Sequence, residues 1–244
     1  MKGRRAALRR LYAVQGAWNY ERMLGIGMGH AAEPLLDDLG RSDPERHREA
    51  VVRSAEFFNS HPYLAGLALG AAVRGEYDRV PGAQISRLRT ALCSPLGALG
   101  DQLFWAGAVP ATVAAAVAAV TLGAGPWSVV VLLIAFNLFR AWVAAWALRT
   151  GLESGTAVGA AIRQSWLPRA AHLAGIGAGL AIGIAVPLVA DWFLSPFQRG
   201  GIIGALALAA GGVITARLAG PMYAAPRFAL CALAAALVFR LVIR

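Results

Sequence analysis

The chain has 244 residues, of which 58% are hydrophobic and 15% charged, and its formal net charge is +10. Soluble domains are about 45–50% apolar, so a water-soluble fold would have to bury an unusually large apolar surface. Of the 13 acidic residues, only Glu153 and Asp191 follow Asp101. The second half is therefore almost free of carboxylates, which disfavours a soluble protein and predicts a membrane protein.

The basic residues favour the same reading over nucleic-acid binding. Lys2 is the only lysine, so the positive charge is almost entirely arginine. A nucleic-acid-binding surface clusters basic residues with aromatic side chains on a soluble face, whereas membrane proteins carry them beside their apolar runs. We therefore expect a lipid bilayer, and no nucleic acid, as partner. The flanking arginines are Arg149, Arg163, Arg169, Arg240 and Arg244.

The N-terminal segment is basic, with Arg4, Arg5, Arg9 and Arg10, but residues 11–16 turn polar before an apolar signal-peptide core could form. It predicts a short basic amphipathic helix lying on the cytoplasmic membrane surface. The segment from Gln15 to Leu39 then carries apolar residues at helical spacing and predicts a helix. Its glycines would let another helix approach closely.

The next segments are short and separated by turn residues. Ser42 or Asp43 is expected to cap a helix that has Pro44 at its first position and ends near Phe58. Residues 59–62 break this helix. The apolar stretch 63–73 is too short to span a bilayer, which takes about 20 residues, and predicts a re-entrant or half-membrane segment. A polar linker is expected over 74–89, and an apolar turn over 94–101.

Four long apolar stretches follow, at about 103–122, 127–148, 170–194 and 201–243. The last is long enough for two passes that separate near Gly220–Pro221. The fold class predicted is an all-α, polytopic membrane protein with amphipathic N-terminal helices, half-membrane hairpins and about five hydrophobic segments. Residues 1–100 form the amphipathic and re-entrant part and residues 101–244 the transmembrane part of one structural unit.

Polar side chains inside apolar segments are costly and mark candidate functional positions. Asn137 and Arg140 lie deep in the second long stretch, and Asp101 stands at the entrance to the first. Arg140 would need an internal ion pair or a polar cavity, with Asp101 as a candidate partner, unless it extends to the membrane surface. Asp101 could equally cap the helix that follows it. Asp191, next to Trp192, is read as an interfacial residue.

Motifs of self-contained enzymes are absent from the sequence. There is no G-x-x-x-x-G-K-[ST], H-E-x-x-H, G-x-S-x-G or C-x-x-C string. Cys93 and Cys231 are far apart and read as small buried hydrophobes. We therefore predict no catalytic residue, no metal site and no cofactor.

Two strings in the first half are distinctive, although each could also be a helix with an aromatic packing face. They are Gln15–Met23 (QGAWNYERM) and Glu56–Tyr63 (EFFNSHPY). Both resemble signatures of the IID subunit family of the mannose/fructose/sorbose-type sugar phosphotransferase system. Ser94–Trp105 resembles the family's G-P-L-A-G-[IV]-G-D-x-[IL]-F-W motif, and Phe136–Arg140 its F-N-L-x-R string. The four motifs occur in the family's order over about residues 15–150.

The resemblance implies a non-catalytic membrane subunit of a phosphoenolpyruvate-dependent sugar transporter in the bacterial plasma (inner) membrane. Its expected partners are a IIC membrane subunit, the phosphoryl-transferring IIA and IIB proteins, and a hexose-type sugar, in a hetero-oligomer such as a trimer of IIC–IID pairs. Departures from the family pattern, such as Ser94 and Gln102, suggest as an alternative a repurposed, non-transporting membrane scaffold or regulator. The residues expected on the translocation pathway or at the IIC contact are Gln15, Trp18, Asn19, Glu21, Arg22, Asn59, His61, Asp101, Asn137 and Arg140.

Overall fold

The computed structural model describes residues 2–194, and within this range the chain is helical without β-strands. The predicted fourth apolar stretch, including its break near Gly220–Pro221, lies outside the described residues, and so does Cys231. The helices are α1 (Arg4–Tyr12), α2 (Gly25–Ser42), α3 (Pro44–Ser54), α4 (Ala65–Tyr77), α5 (Gly82–Gly100), a π-helix (Asp101–Ala108), α6 (Val109–Thr121), α7 (Trp127–Ser154), a 3₁₀ turn (Gly155–Ala157), α8 (Val158–Gln164) and α9 (Leu167–Leu194).

Three helical segments of the described chain are long and apolar enough to cross a membrane: Gly82–Thr121, Trp127–Gln164 and Leu167–Trp192. The shortest has 26 residues and is about 39 Å long at 1.5 Å per residue, which exceeds the hydrocarbon thickness of about 30 Å. The all-α, polytopic membrane fold is therefore confirmed.

The chain divides into two compact units. The first contains residues 1–105 and 137–173, which include α1 to α5, the second half of α7 and α8. The second contains residues 106–136 and, within the described range, 174–194. In the second unit, Ala114 and Ala118 of α6 pack with Ala185 of α9.

Helix α4 forms the core of the first unit. Every residue from Leu64 to Val73 is buried, so this apolar stretch is covered by protein. Small residues bring α4 and α7 into close contact, since a Cβ on Gly70 would lie 2.5 Å from the Leu152 nitrogen. With 13 residues, α4 is about 20 Å long and too short to span a bilayer.

The first helices follow their local signals. Asp43 caps α3 as predicted, because its side chain accepts a hydrogen bond from the Arg46 N–H at 3.2 Å, and Pro44 takes the first position. The helix ends at Ser54, four residues before the predicted end. The predicted basic helix is also present as α1, with Ala7 and Leu11 buried.

Three local predictions were wrong. Residues 13–24 form turns, and only α2, from Gly25, is helical. The linker expected over 74–89 is short, because α4 continues to Tyr77 and α5 begins at Gly82. The turn expected over 94–101 is helical, since α5 passes Pro95 and continues into the π-helix. The backbone at Asp101 is already helical, with φ −62° and ψ −42°, so Asp101 does not cap a new helix.

Candidate functional site

A polar cleft of about 620 Å³ opens in the first unit where three of the sequence motifs meet. The turns after α1, the break between α3 and α4, and the junction of α5 with the π-helix form its walls. A carboxylate, two amides, two hydroxyls and an imidazole lie among aromatic rings in it. The lining residues are Gln15, Phe57, Asn59, Ser60, His61, Pro62, Cys93, Ser94, Gly97, Ala98, Asp101 and Trp105.

Residues 13–24 are shaped by hydrogen bonds that a helix would not allow. The Asn19 side-chain oxygen accepts from the N–H groups of Glu21 (3.1 Å) and Arg22 (2.8 Å). Asparagine readily forms turns of this kind and competes with helix formation. The Leu24 N–H donates to the Phe58 carbonyl at 2.9 Å, and the Phe58 N–H donates to the Arg22 carbonyl at 3.3 Å. These bonds join the first two motifs by their backbones.

Arg89 of α5 holds the chain just after α3. This arginine is 2% exposed, and its guanidinium donates to the carbonyls of Ser54 at 3.0 Å and Glu56 at 3.3 Å, and also to that of Arg53. Carbonyls at a helix C-terminus lack partners within the helix and carry partial negative charge. Arg89 satisfies them and so sets where the Phe57–Asn59 segment leaves α3.

A buried ion-pair network connects α3 to α4. The Glu76 carboxylate is 3% exposed and lies 2.7 Å from Arg53 Nε and 2.9 Å from an Arg46 Nη. Burial alone lowers the pKa of Arg53, but the hydrogen bond and charge of Glu76, together with Glu49, raise that pKa overall. Arg53 therefore stays charged, and the network fixes α3 against the end of α4.

His61 is 2% exposed at the base of the cleft. Its ring stacks on Phe104, with centroids 4.9 Å apart, and contacts the rings of Tyr63 and Trp105. The Tyr63 N–H donates to His61 Nδ1 at 3.3 Å, so the neutral ring carries its proton on Nε2. Within the described chain Nε2 has no hydrogen-bond partner. Burial lowers the His61 pKa to about 4, which keeps the ring neutral near pH 7.

Gly100 makes room for His61. A Cβ on Gly100 would lie 2.2 Å from the His61 Cβ, a distance that no side chain could occupy. The close approach of α5 to the segment before α4 therefore requires glycine here.

Arg140 of α7 contacts Tyr63. An Arg140 Nη donates to the Tyr63 hydroxyl at 3.0 Å, and the guanidinium carbon lies 5.1 Å from the centre of the Tyr63 ring. This hydrogen bond and cation–π contact offset part of the cost of withdrawing the guanidinium from water. Asp101 is not its ion-pair partner among the described residues. Through Tyr63, the fourth motif reaches the aromatic rings around His61.

The structure brings together part of the predicted set. Gln15, Asn59, His61 and Asp101 line the cleft, and Arg140 contacts Tyr63, whose ring packs against His61. Asn137 lies on the exposed side of α7. Within residues 2–194 no group of three or more His, Cys, Asp or Glu side chains is placed to hold a metal ion. The remaining predicted residues, Trp18, Asn19, Glu21 and Arg22, belong to the turns over 13–24.

Sequence reasoning missed Glu76, Arg89 and Tyr63. A signal existed for Glu76, which is the first carboxylate after the apolar stretch 63–73. Arg89 could not be distinguished from other polar residues of the predicted linker. Its burial results from packing against the end of α3, which the sequence does not reveal.

Three candidate spans and a polar cleft beside one of them define a polytopic α-helical membrane protein. The family model for the PTS system mannose/fructose/sorbose family IID component matches residues 1–172. The chain belongs to this family.

Two curated relatives carry the same assignment. The mannose-specific EIID component of Escherichia coli (strain K12) is 33% identical over 131 residues, covering 52% of this chain and 46% of the relative. The fructose permease IID component of Bacillus subtilis (strain 168) is 31% identical over 131 residues, covering 50% and 47%. The chain thus spans about half the length of the curated relatives it matches.

Solved structures show the same fold. A chain in the cryoEM structure of the mannose transporter ManYZ in complex with microcin E492 matches with TM-score 0.57 and 26% identity, covering 76% of this chain and 69% of that one. A second solved membrane protein matches with TM-score 0.63 and 28% identity, covering 75% and 69%.

Proposed function

We propose that this chain is the IID subunit of a phosphoenolpyruvate-dependent sugar transporter and forms the translocation complex with a IIC subunit in the bacterial inner membrane. Family membership supports the subunit type. The polar cleft is the observation that carries the proposal, because three family motifs that are far apart in sequence contribute side chains to it.

The chemistry of the cleft suits a neutral, hydroxylated ligand. The Asp101 carboxylate and the amides of Gln15 and Asn59 can accept or donate hydrogen bonds to hydroxyl groups. Trp105 offers an indole that is 51% exposed, against which the apolar face of a sugar ring could pack. We infer that the cleft belongs to the sugar pathway or to its contact with IIC, and that the ligand is a hexose.

The proposed subunit has no catalytic role of its own. The phosphoryl group would be relayed by soluble IIA and IIB proteins, and the sugar phosphorylated as it enters. His61 is buried and its pKa is lowered to about 4, which suits a packing residue more than a phosphorylated one.

Co-expression with a IIC candidate tests the assignment. Detergent pull-down should recover a stable complex, and cells carrying it should take up labelled hexose in a manner that depends on phosphoenolpyruvate. A stable chain that binds no IIC protein and supports no uptake would instead indicate the repurposed scaffold.

Asp101→Asn tests the cleft itself. We expect the complex to assemble while uptake falls at least about tenfold, the loss typical of one hydrogen bond to a charged group. Glu153→Gln is the matched control, since it removes an exposed carboxylate that pairs with Arg149 on α7, and it should transport normally. Normal uptake by Asp101→Asn in an assembled complex would refute a pathway role for this residue.

A further inference from the structure

A cationic edge at the start of α1 has no role in the proposed transport cleft. It is formed by Lys2, which precedes the helix, and by Arg4, Arg5 and Arg9 within it. All four side chains are exposed, and none has a carboxylate partner within the described chain. Most other arginines of the first unit do have one, including Arg46 and Arg53 of α3 and Arg74 of α4. Four unpaired positive charges within eight positions repel one another, so they favour an anionic partner.

Helix α1 is held firmly against α2 by its other side. Ala7 and Leu11 are buried, and Arg10 donates to the Glu33 carboxylate at 2.6 Å and to the His30 carbonyl at 2.7 Å. The apolar face of α1 is therefore occupied by protein and is not free to enter lipid. This packing turns the four remaining cations away from α2 and into solvent.

The end of α1 lies beside a candidate membrane span. The Tyr12 hydroxyl donates to the Ala141 carbonyl of α7 at 3.3 Å. Next to Ala141, the ring of Trp142 lies 5.0 Å from that of Trp166, which lies 4.9 Å from that of Trp146. Tyrosine and tryptophan concentrate at the membrane–water interface. This group of rings therefore marks the level of one interface within the first unit.

Charged side chains lie about two helical turns from the residues that mark this membrane–water interface. Arg149 and Glu153 of α7 form an exposed ion pair, and Arg149 is about 12 Å along the helix from Ala141. Arg4 is likewise about 12 Å along α1 from Tyr12. The headgroup layer is about 5–8 Å thick on each side of the hydrocarbon, and the long side chains of lysine and arginine extend over several ångströms toward it.

We propose that Lys2, Arg4, Arg5 and Arg9 bind the headgroups of anionic phospholipids where α1 meets the bilayer surface. The binding is electrostatic and takes any accessible anionic headgroup, because the cations lie on one exposed edge and not in a shaped pocket. This inference does not depend on sugar transport and is tested on the isolated chain.

Native mass spectrometry of the purified full chain in micelles with equal phosphatidylglycerol and phosphatidylcholine measures the preference. The wild type should retain phosphatidylglycerol preferentially, and high salt should reduce the preference. Arg4→Gln/Arg5→Gln/Arg9→Gln should lower it at least about tenfold. The lysine version of the same triple variant should keep it, since charge and not side-chain shape is recognised.

The matched control removes the same charge elsewhere. Arg48, Arg79 and Arg87 are exposed, and the triple glutamine variant at these positions should keep the wild-type preference. If both glutamine variants lost the phosphatidylglycerol preference equally, the preference would depend only on the net charge of the protein, and the proposal would be overturned. An unchanged preference in the α1 variant would also overturn it.

Discussion

Two charged side chains in the interior of the first unit, Glu76 and Arg89, position the segment that carries Asn59 and His61. Glu76 ties α3 to α4, and Arg89 ties the end of α3 to α5. Neither lines the cleft. A cleft built on a helix break needs such support, because the broken segment has few backbone hydrogen bonds of its own.

Loss of the Glu76 charge should destabilise the chain strongly. In Glu76→Gln, Arg46 and Arg53 lose the carboxylate they share at a site that is only 3% exposed, and only the exposed Glu49 remains beside Arg53. We expect a loss of about 3 kcal/mol or more. Glu49→Gln removes a carboxylate that also contacts Arg53 but is 63% exposed, and should cost less than about 1 kcal/mol. Thermal unfolding in detergent measures both. Equal shifts would show that the buried network contributes no special stability.

His61 makes stability depend on pH. Its folded pKa is about 4, against an ordinary value of 6.5, so between these values the unfolded chain binds more protons than the folded chain. The free energy of unfolding therefore falls as the pH is lowered through this window. His61→Gln should flatten the fall in unfolding temperature between pH 7 and pH 4. Parallel profiles for the wild type and the variant would contradict a buried neutral His61.

The position of the cleft depends on how closely the helix backbones approach each other, more than on the fit between their side chains. Helix α5 comes near the segment before α4 at Gly100, and it continues as a π-helix from Asp101. A π-helix rotates the following residues relative to an α-helix, and such insertions are frequent at functional sites. Here Phe104 and Trp105 lie within the π-helix and face His61.

Gly100→Ala should disturb this arrangement, because the new Cβ would lie 2.2 Å from the His61 Cβ. Overpacking of this kind costs about 1–3 kcal/mol, and we expect lower thermal stability with reduced uptake. Gly97→Ala is the control for stability on the same helix, since a Cβ there would have nothing within 4 Å; uptake is not compared for this variant, because Gly97 lines the cleft. It should be neutral or stabilising by about 0.4–1 kcal/mol. If both variants behaved alike, the tight contact at Gly100 would be unimportant.

The isolated chain leaves aromatic surface uncovered around the turns over 13–24. Trp18 is 44% and Tyr20 85% exposed, and their rings contact each other edge to face at 4.8 Å. Exposed aromatic pairs are common at protein–protein contacts. We propose that this surface contacts IIC, which is one of the two roles, pathway or IIC contact, that the resemblance implies for Trp18.

Cysteine labelling tests that interface. In a chain whose native cysteines are replaced by serine, Trp18→Cys should react with a water-soluble maleimide when the chain is alone and be protected when IIC is co-expressed. Val52→Cys, at a position 69% exposed on α3, should react in both cases and shows that the reagent has access. Equal reaction of Trp18→Cys with and without IIC would place the contact elsewhere.

The spans, the start of α3 and part of the candidate site could be predicted from the sequence, because interactions between residues close in the chain determine them. Apolar runs identify the spans because transfer of side chains to lipid depends on composition over about 20 residues. Asp43 and Pro44 mark the start of α3 because a cap acts within one turn. Four of the ten predicted site residues line the cleft. They could be identified without knowledge of the fold because they are polar residues in apolar segments or belong to the strings that resemble the IID family.

Tertiary contacts decided the rest. Arg140 binds Tyr63 although 77 residues separate them, and Glu76 pairs with arginines that come from α3. The turns over 13–24 oppose the helical spacing of their apolar residues, because backbone bonds to Phe58 and the Asn19 side chain replace helical ones. Such partners cannot be inferred from neighbouring residues, since their energies depend on burial and geometry that exist only after the helices pack.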